Sequence, residues 1–406
     1  AYRSRKPVQA KWSSSIVDGI ARNRSFKPFL ANPEAREILH QSDQWGISKC
    51  APIEHPPAGT NPDPLRCRAV YPKLGVLSLV ANSDELVASA AFVAVHPTVM
   101  PNDVNLYHGD FFGVATRVAE QHLGAQSRTN NAPPPVVALF NGAQGDVSPA
   151  WVRHDHSEAL RLGSLLASAI VDSSNRAGMA PGTKIVNRYR EVQIADVHTS
   201  GGKTSNRPIP GKGQLGGAED HRTVWHKRGY REGVVSSRER YRGQGNKRPA
   251  LPIALLALGV PKGALPDHAP LAVHRFGHLV FTGVPGEITT TLGRRIRENI
   301  TRVPGDVPVL IGLANEYLAY FTTPEEYALQ HYEGASMLYG PHTAEVLLRG
   351  TGALADPRTT YHGPEKPSFS HHPGPRVHRS KPSMKMGRKL GSGPAKLSGV
   401  FPIENV

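Results

Sequence analysis

"PVVALFNGAQGDVSPAW", residues 135–151, runs an apolar segment straight into a loop where Asn141, Gln144, Asp146 and Ser148 crowd around Gly142 and Gly145. The segment Pro135–Phe140 is short and dense in Val, Leu and Phe, which predicts a buried strand. A plain turn needs one glycine and one polar residue, so this loop asks for another purpose. Pro149 biases Ser148 toward an extended backbone, which holds its hydroxyl in one direction. The serine stands outside any G-x-S-x-G elbow, so a hydrolase of that type is disfavoured.

The alternation of strand and helix continues on both sides. "GVLSLVANSDELVASAAFVAVHP" (75–97) reads as two apolar strands about an NSDE turn. "DFFGVATRVAEQHLG" (110–124) predicts an amphipathic helix with Phe112, Val114 and Val118 at helical spacing and Gly124 closing it. "PEAREILHQ" (33–41) and "HSEALRLGSLLASAIVDSS" (156–174) are further helices. Later come strands in "LAVHRFGHLVFTGVP" (271–285) and "VPVLIGLAN" (307–315), with helices in "GEITTTLGRRIRENI" (286–300), "TPEEYALQHY" (323–332) and "HTAEVLLRGTG" (342–352). The pattern predicts an α/β fold of mixed sheets flanked by helices. No internal repeat is visible. Residues 1–355 are expected to form one domain, and the basic, Pro/Gly-rich 356–406 a disordered tail or linker.

The chain has 406 residues, enough for a sizeable core, and no run approaches 18 uninterrupted apolar residues. Cys50 and Cys67 either close a 16-residue loop by a disulfide or stay as two buried thiols. The net charge is +15, concentrated in the tail and in residues 199–248, which carry 12 Lys/Arg against 4 Asp/Glu. Both regions read as solvated loops. Aromatic interleaving is too thin for a nucleic-acid platform, so no nucleic-acid partner is expected; an anionic lipid surface is the partner that such patches would suit.

Four places put a polar reactive group where an apolar element ends: Ser148, His96 after a strand, Glu287 in "VPGEITT", and the tyrosines Tyr317, Tyr320, Tyr327 and Tyr332. Singly each has a bland reading. A strand-terminal histidine is usually structural, a glutamate at a helix start suits the dipole, and tyrosines are usually packing groups with a wet hydroxyl.

Together and in order, "NRSFKPFLANPEAR" (23–36), "HPTVM" (96–100), "GDVSPA" (145–150), "PGEITTTLGRR" (285–295) and "YFTTPEEYALQHYEGASMLYGPHT" (320–343) resemble the neutral/alkaline non-lysosomal ceramidase family, over residues 20 to 350. The resemblance implies a zinc-dependent amidase that cleaves ceramide, or a related N-acyl lipid, to sphingosine and fatty acid. It implies Ser148 of the G-D-[VT]-S-P motif as the catalytic serine, with Arg24 of N-R-S and Tyr332 of Q-[RH]-Y-E-G beside it. It implies His96, Glu287 and Tyr320 as zinc ligands. Such a metal would activate the serine or a water, so that no triad histidine is needed. A secreted, periplasmic or outer-membrane-surface location follows from the same likeness.

The family's first zinc histidine belongs to an H-T-H-S-G-P motif before N-R-S, and the 23 residues preceding Arg24 hold no histidine. The chain is therefore expected to lack the family's N-terminal part. His40, His55, His108 and His154 are the candidates for a substitute. "HPT" for H-G-T and "SPA" for S-P-N put the substrate in question. The alternative reading is a truncated, non-catalytic homologue that binds lipid or anionic surfaces.

Overall fold

The structure is a computed structural model that describes residues 7–56, 60–82, 85–101, 103–104, 107–126, 134–176, 178–252, 255 and 265–361. Its strands in chain order are β1 (Val8–Ile16), β2 (Ala21–Asn23), β3 (Lys73–Ala81), β4 (Leu86–Val93), β5 (Val136–Asn141), β6 (Val147–Pro149), β7 (Ile185–Gln193), β8 (His268–Phe276), β9 (Leu279–Gly283), β10 (Glu287–Ile288), β11 (Val307–Ile311) and β12 (Tyr320–Phe321). Its helices are α1 (Phe26–Leu30), α2 (Ala35–Gln44), α3 (Asp110–Ala125), α4 (His156–Asn175), α5 (Lys212–Gly216), α6 (Thr290–Ile300), α7 (Pro324–Ala328), α8 (Tyr332–Ser336) and α9 (Thr343–Ala355).

Two four-stranded mixed sheets, β1-β3-β4-β5 and β11-β9-β8-β7, share one plan. In each, three strands pair antiparallel, a helix crosses over, and a fourth strand pairs parallel to the third. The crossover is α3 in the first sheet and α6 in the second, the length that a parallel connection needs. This topological repeat has no counterpart in the sequence. Two short ribbons, β2-β6 antiparallel and β10-β12 parallel, complete the described sheets.

Helices α3 and α4 bury their apolar faces in the first core with Val76, Val93, Leu162 and Ile170; α6 and α9 close a second with Val280, Ile296 and Leu347. The sheets meet through Trp12, Phe92, Leu279, Phe281 and Val309. Trp12 of β1 lies so close over Gly75 of β3 that a Cβ there would sit 2.3 Å from its ring. That position therefore has to be glycine.

Several expectations need correction. The strand expected over 135–140 is β5, an edge strand with Val136 and Phe140 exposed, because among the described residues it has only β4 as a partner. In α3 the buried stripe is Phe111, Ala115, Ala119 and Leu123; Phe112 and Val118 only flank it, and Gly124 lies inside the helix. Residues 323–332 split into α7 and α8, with Gln330 between them at φ +47°. Of the two readings left open for Cys50 and Cys67, the structure has the disulfide. Of the expected tail, Tyr361 packs on β7, where its hydroxyl donates to Tyr189 O at 3.0 Å; residues 362–406 lie outside the described residues.

Candidate functional site

The loop after β5 is pinned on every side. Gly142 N–H donates to Val93 O (2.7 Å) and Gly145 N–H to Ile288 O (2.8 Å). A Cβ on Gly145 would lie 3.0 Å from Glu287 O, so the second glycine is what allows the loop to touch β10. Asn141 holds the backbone of Val95 through both ends of its amide, at 3.1 and 2.9 Å. Asp146 accepts from Thr290 N–H (2.7 Å) and Thr290 Oγ1 (2.9 Å) at the start of α6, and from Asn23 Nδ2 (2.6 Å). A carboxylate suits a helix N-terminus. Burial nevertheless pushes Asp146 up to about 6.

Ser148 follows on β6, paired with Arg22 of β2 and fully buried. Its Oγ donates to Asp220 Oδ2. Asp220 comes from residues 199–248, which were expected to be solvated loop. Only part of that segment is: Lys227, Arg228, Arg231, Arg238, Arg240 and Arg242 are exposed, whereas Lys247 Nζ donates to Ile209 O at 3.0 Å from a fully buried position and Glu219 pairs with Arg66 at 2.8 Å. A charge count cannot see which charges meet a partner from remote chain. Asp220 lies 3.9 Å from Arg24 Nη1 and 3.5 Å from His221 Nδ1. Burial opposes its charge, but His221, Arg24 and Ser148 hold it well below the carboxylate range.

Glu287 and Tyr320 are side by side, because β10 pairs with β12 in that register. His96 Nε2 lies 2.5 Å from Glu287 Oε2, and His96 Nδ1 donates to Val147 O at 2.9 Å. Tyr317 donates to Glu287 Oε1 at 2.8 Å. Burial alone would raise Glu287, and His96 with Tyr317 brings it below its ordinary value. Both ring nitrogens of His96 face acceptors, so the His96–Glu287 pair shares a proton at this 2.5 Å separation. An imidazole nitrogen and a carboxylate are donors that a metal ion takes, and the two would have to part to admit one between them. The Tyr320 hydroxyl adds a third oxygen or nitrogen donor of the kinds zinc takes. Burial pushes this phenol up, so it is neutral in the arrangement described. Among the described residues, no group of three or more His, Cys, Asp or Glu is arranged to hold a metal.

Arg24 links the two parts. Its Nη2 donates to Tyr320 Oη (3.1 Å) and Gly145 O (2.8 Å), and its Nε to Glu333 (2.9 Å). Burial works against the guanidinium charge, and Tyr320, Glu333 and Asp220 more than restore it. The Tyr332 ring stands 5.4 Å from Arg24 Cζ and 5.2 Å from the Tyr320 ring. Ser148, Arg24, Tyr332, His96, Glu287 and Tyr320 thus lie in one connected network, joined by Tyr317; Tyr327 is a buried packing group whose hydroxyl meets Gln244 instead. A cavity of about 610 Å³ behind the loop, between α2, α6 and the sheets, is lined by none of them.

His40, His55 and His108 lie on the surface, away from this network. His154 stacks on Trp151 and meets the His221 ring edge-on at 5.0 Å. Sequence reasoning missed Asp220, which stands in no motif that local sequence would mark, and noted Tyr317 only as one of a tyrosine cluster, with no role.

A model of the family described as neutral/alkaline non-lysosomal ceramidase, N-terminal, matches residues 1–195 and 199–349. The chain belongs to this ceramidase family. Neutral ceramidase A of Dictyostelium discoideum is 25% identical over 394 residues, covering 81% of this chain and 54% of that protein. The neutral ceramidase of Mycobacterium tuberculosis is 28% identical over 381 residues, 84% and 58% of the two chains. The chain therefore spans about half the length of the curated relatives it matches. The neutral ceramidase structure from Pseudomonas aeruginosa superposes with a TM-score of 0.62 at 22% identity, over 86% of this chain and 52% of that one. That likeness bears out the α/β fold of mixed sheets.

Proposed function

We propose that this ceramidase-family chain carries the catalytic part of a hydrolase that cleaves the N-acyl amide bond of ceramide to sphingosine and a fatty acid. One observation carries the reading: Ser148, Arg24, Tyr320, Glu287 and His96, from five remote segments, form an unbroken run of contacts through Asp220. Zinc is proposed at His96 Nε2, the Glu287 carboxylate and the Tyr320 oxygen, where it would polarise the amide carbonyl and acidify a bound water. Ser148 is the attacking hydroxyl. Arg24, its charge held in place by Glu333, offers donors to the oxyanion of the tetrahedral intermediate. Tyr332, whose proton burial retains, is a second donor beside it. Substrate enters at Tyr317, which is 53% exposed.

The Cys50–Cys67 disulfide supports a secreted, periplasmic or outer-surface location. Contact with a lipid surface is proposed at Val224 and Trp225, which are exposed beside Lys227, Arg228 and Arg231. Aromatic and cationic groups together suit an anionic headgroup layer.

The reading is tested by zinc content and ceramide turnover of the wild type, His96→Ala and Ser148→Ala. One zinc per chain that His96→Ala loses, with turnover cut at least ~1,000-fold by Ser148→Ala, supports it. A wild type that holds no zinc and leaves ceramide intact sinks it. Liposome binding that survives in such a protein, and that falls with salt, would leave the alternative of a non-catalytic lipid-binding homologue.

A further inference from the structure

We infer that Asp220, delivered by the long segment between β7 and β8, is the positioning residue for Ser148: it aims the serine hydroxyl and stands where a triad would place its histidine. The inference rests on the reading of Ser148 as the attacking group.

The geometry leaves Ser148 little choice. Its backbone is fixed by pairing of β6 with β2, its side chain is out of solvent, and its single O–H goes to Asp220 Oδ2. With the proton committed, the oxygen lone pairs are turned away from the carboxylate. Asp220 is itself held by its neighbours. Glu219, one residue earlier, accepts from Asn61 N–H at 2.9 Å and pairs with Arg66, whose Nε donates to Asn23 O at 2.7 Å. The β7–β8 segment is thereby fastened to the same strand, β2, that pairs with the serine. Among the described residues Asp220 Oδ1 accepts no hydrogen bond, and it faces Arg24 Nη1 and His221 Nδ1.

The order of groups also matters. His221 lies beyond the carboxylate, so the sequence of contacts is serine, aspartate, histidine, and the imidazole cannot take the serine proton directly. The Arg24 guanidinium 3.9 Å away and the serine hydroxyl both favour the charged form of Asp220, which makes it a weak base. Orientation is what such a carboxylate supplies, and a misplacement of about 1 Å at an attacking atom can cost ~100-fold.

The test compares wild type, Asp220→Asn, Asp220→Ala and Ser148→Ala. It reads the rate at which a fluorophosphonate probe labels Ser148, by mass spectrometry, together with ceramide turnover. The amide oxygen of Asn can still accept the serine O–H, so Asp220→Asn should label within ~10-fold of wild type. Asp220→Ala should fall on the order of 100-fold, with KM for ceramide unchanged. Wild-type labelling by a folded Asp220→Ala protein overturns the inference. So does an Asp220→Asn protein as inert as the alanine variant, since Asp220 would then be taking the proton. If the alanine variant melts below assay temperature, Asp220→Leu, close in size to aspartate and unable to accept the serine O–H, takes its place with the same expected loss. Labelling at Ser148 that depends on Asp220 in a chain that leaves ceramide intact would sink the proposed substrate and keep this inference.

Discussion

Glu326 is a carboxyl group that the fold holds against its preference. It is buried at the start of α7, accepts from Thr289 Oγ1 at 2.6 Å and Asn32 Nδ2 at 2.9 Å, and shares its surroundings with Asp146. Burial first, and the charge of Asp146 next, push it up to about 8. The folded protein therefore keeps protons that the unfolded chain, titrating near 4–4.5, has lost. Stability from this pair is fully present below about pH 4.5 and is lost as pH rises toward 8. Asp220 and Glu287, both lowered, act in the opposite sense and lose their contribution only in acid. Glu326→Gln, which mimics the protonated acid, should lose less stability than wild type between pH 5 and pH 8, by on the order of 2 kcal/mol. Urea titrations at the two pH values check this, and parallel losses would refute it. At this scale the sequence was legible where a residue sits in a short motif at the end of an apolar element, as Ser148, His96 and Glu287 do. Asp220 was not, because its meaning lies in a serine 72 positions away.

The elements were legible as far as periodicity reaches. The helices α3, α4 and α9 announce themselves by spacing, and the β3–β4 hairpin by its turn. Faces and edges are set by neighbours, so the stripe of α3 turned and β5 lost its second partner. The disulfide was undecidable from spacing alone. It matters because Cys67 lies in the 3-10 turn Pro64–Arg68, which holds Arg66 against Asn23 O and Glu219. Replacing Cys50 and Cys67 together by Ser should lower stability by ~3 kcal/mol, the value for a loop of this length. A reductant should move the wild-type Tm by the same amount and leave the variant unmoved. Identical melting of the two proteins, with and without reductant, would count against the bridge.

Across the whole molecule, the fold class could be read from alternating strands and helices, whereas the repeat of one sheet plan could not. Topology repeats without any likeness of side chains, and only pairing reveals it. The site lies on the seam. His96, Ser148 and Arg24 come from the half built on the first sheet; Glu287, Tyr320, Glu333 and Asp220 come from the half built on the second. Contacts such as Gly145–Ile288, Arg24–Glu333 and Ser148–Asp220 cross between them. Heredity then has to treat the halves as a matched set. A change on one side that alters size or charge is tolerated only alongside an answering change on the other. Aligned relatives should show these three pairs varying together more strongly than pairs within either half, and independent variation would mean that the halves drift apart freely.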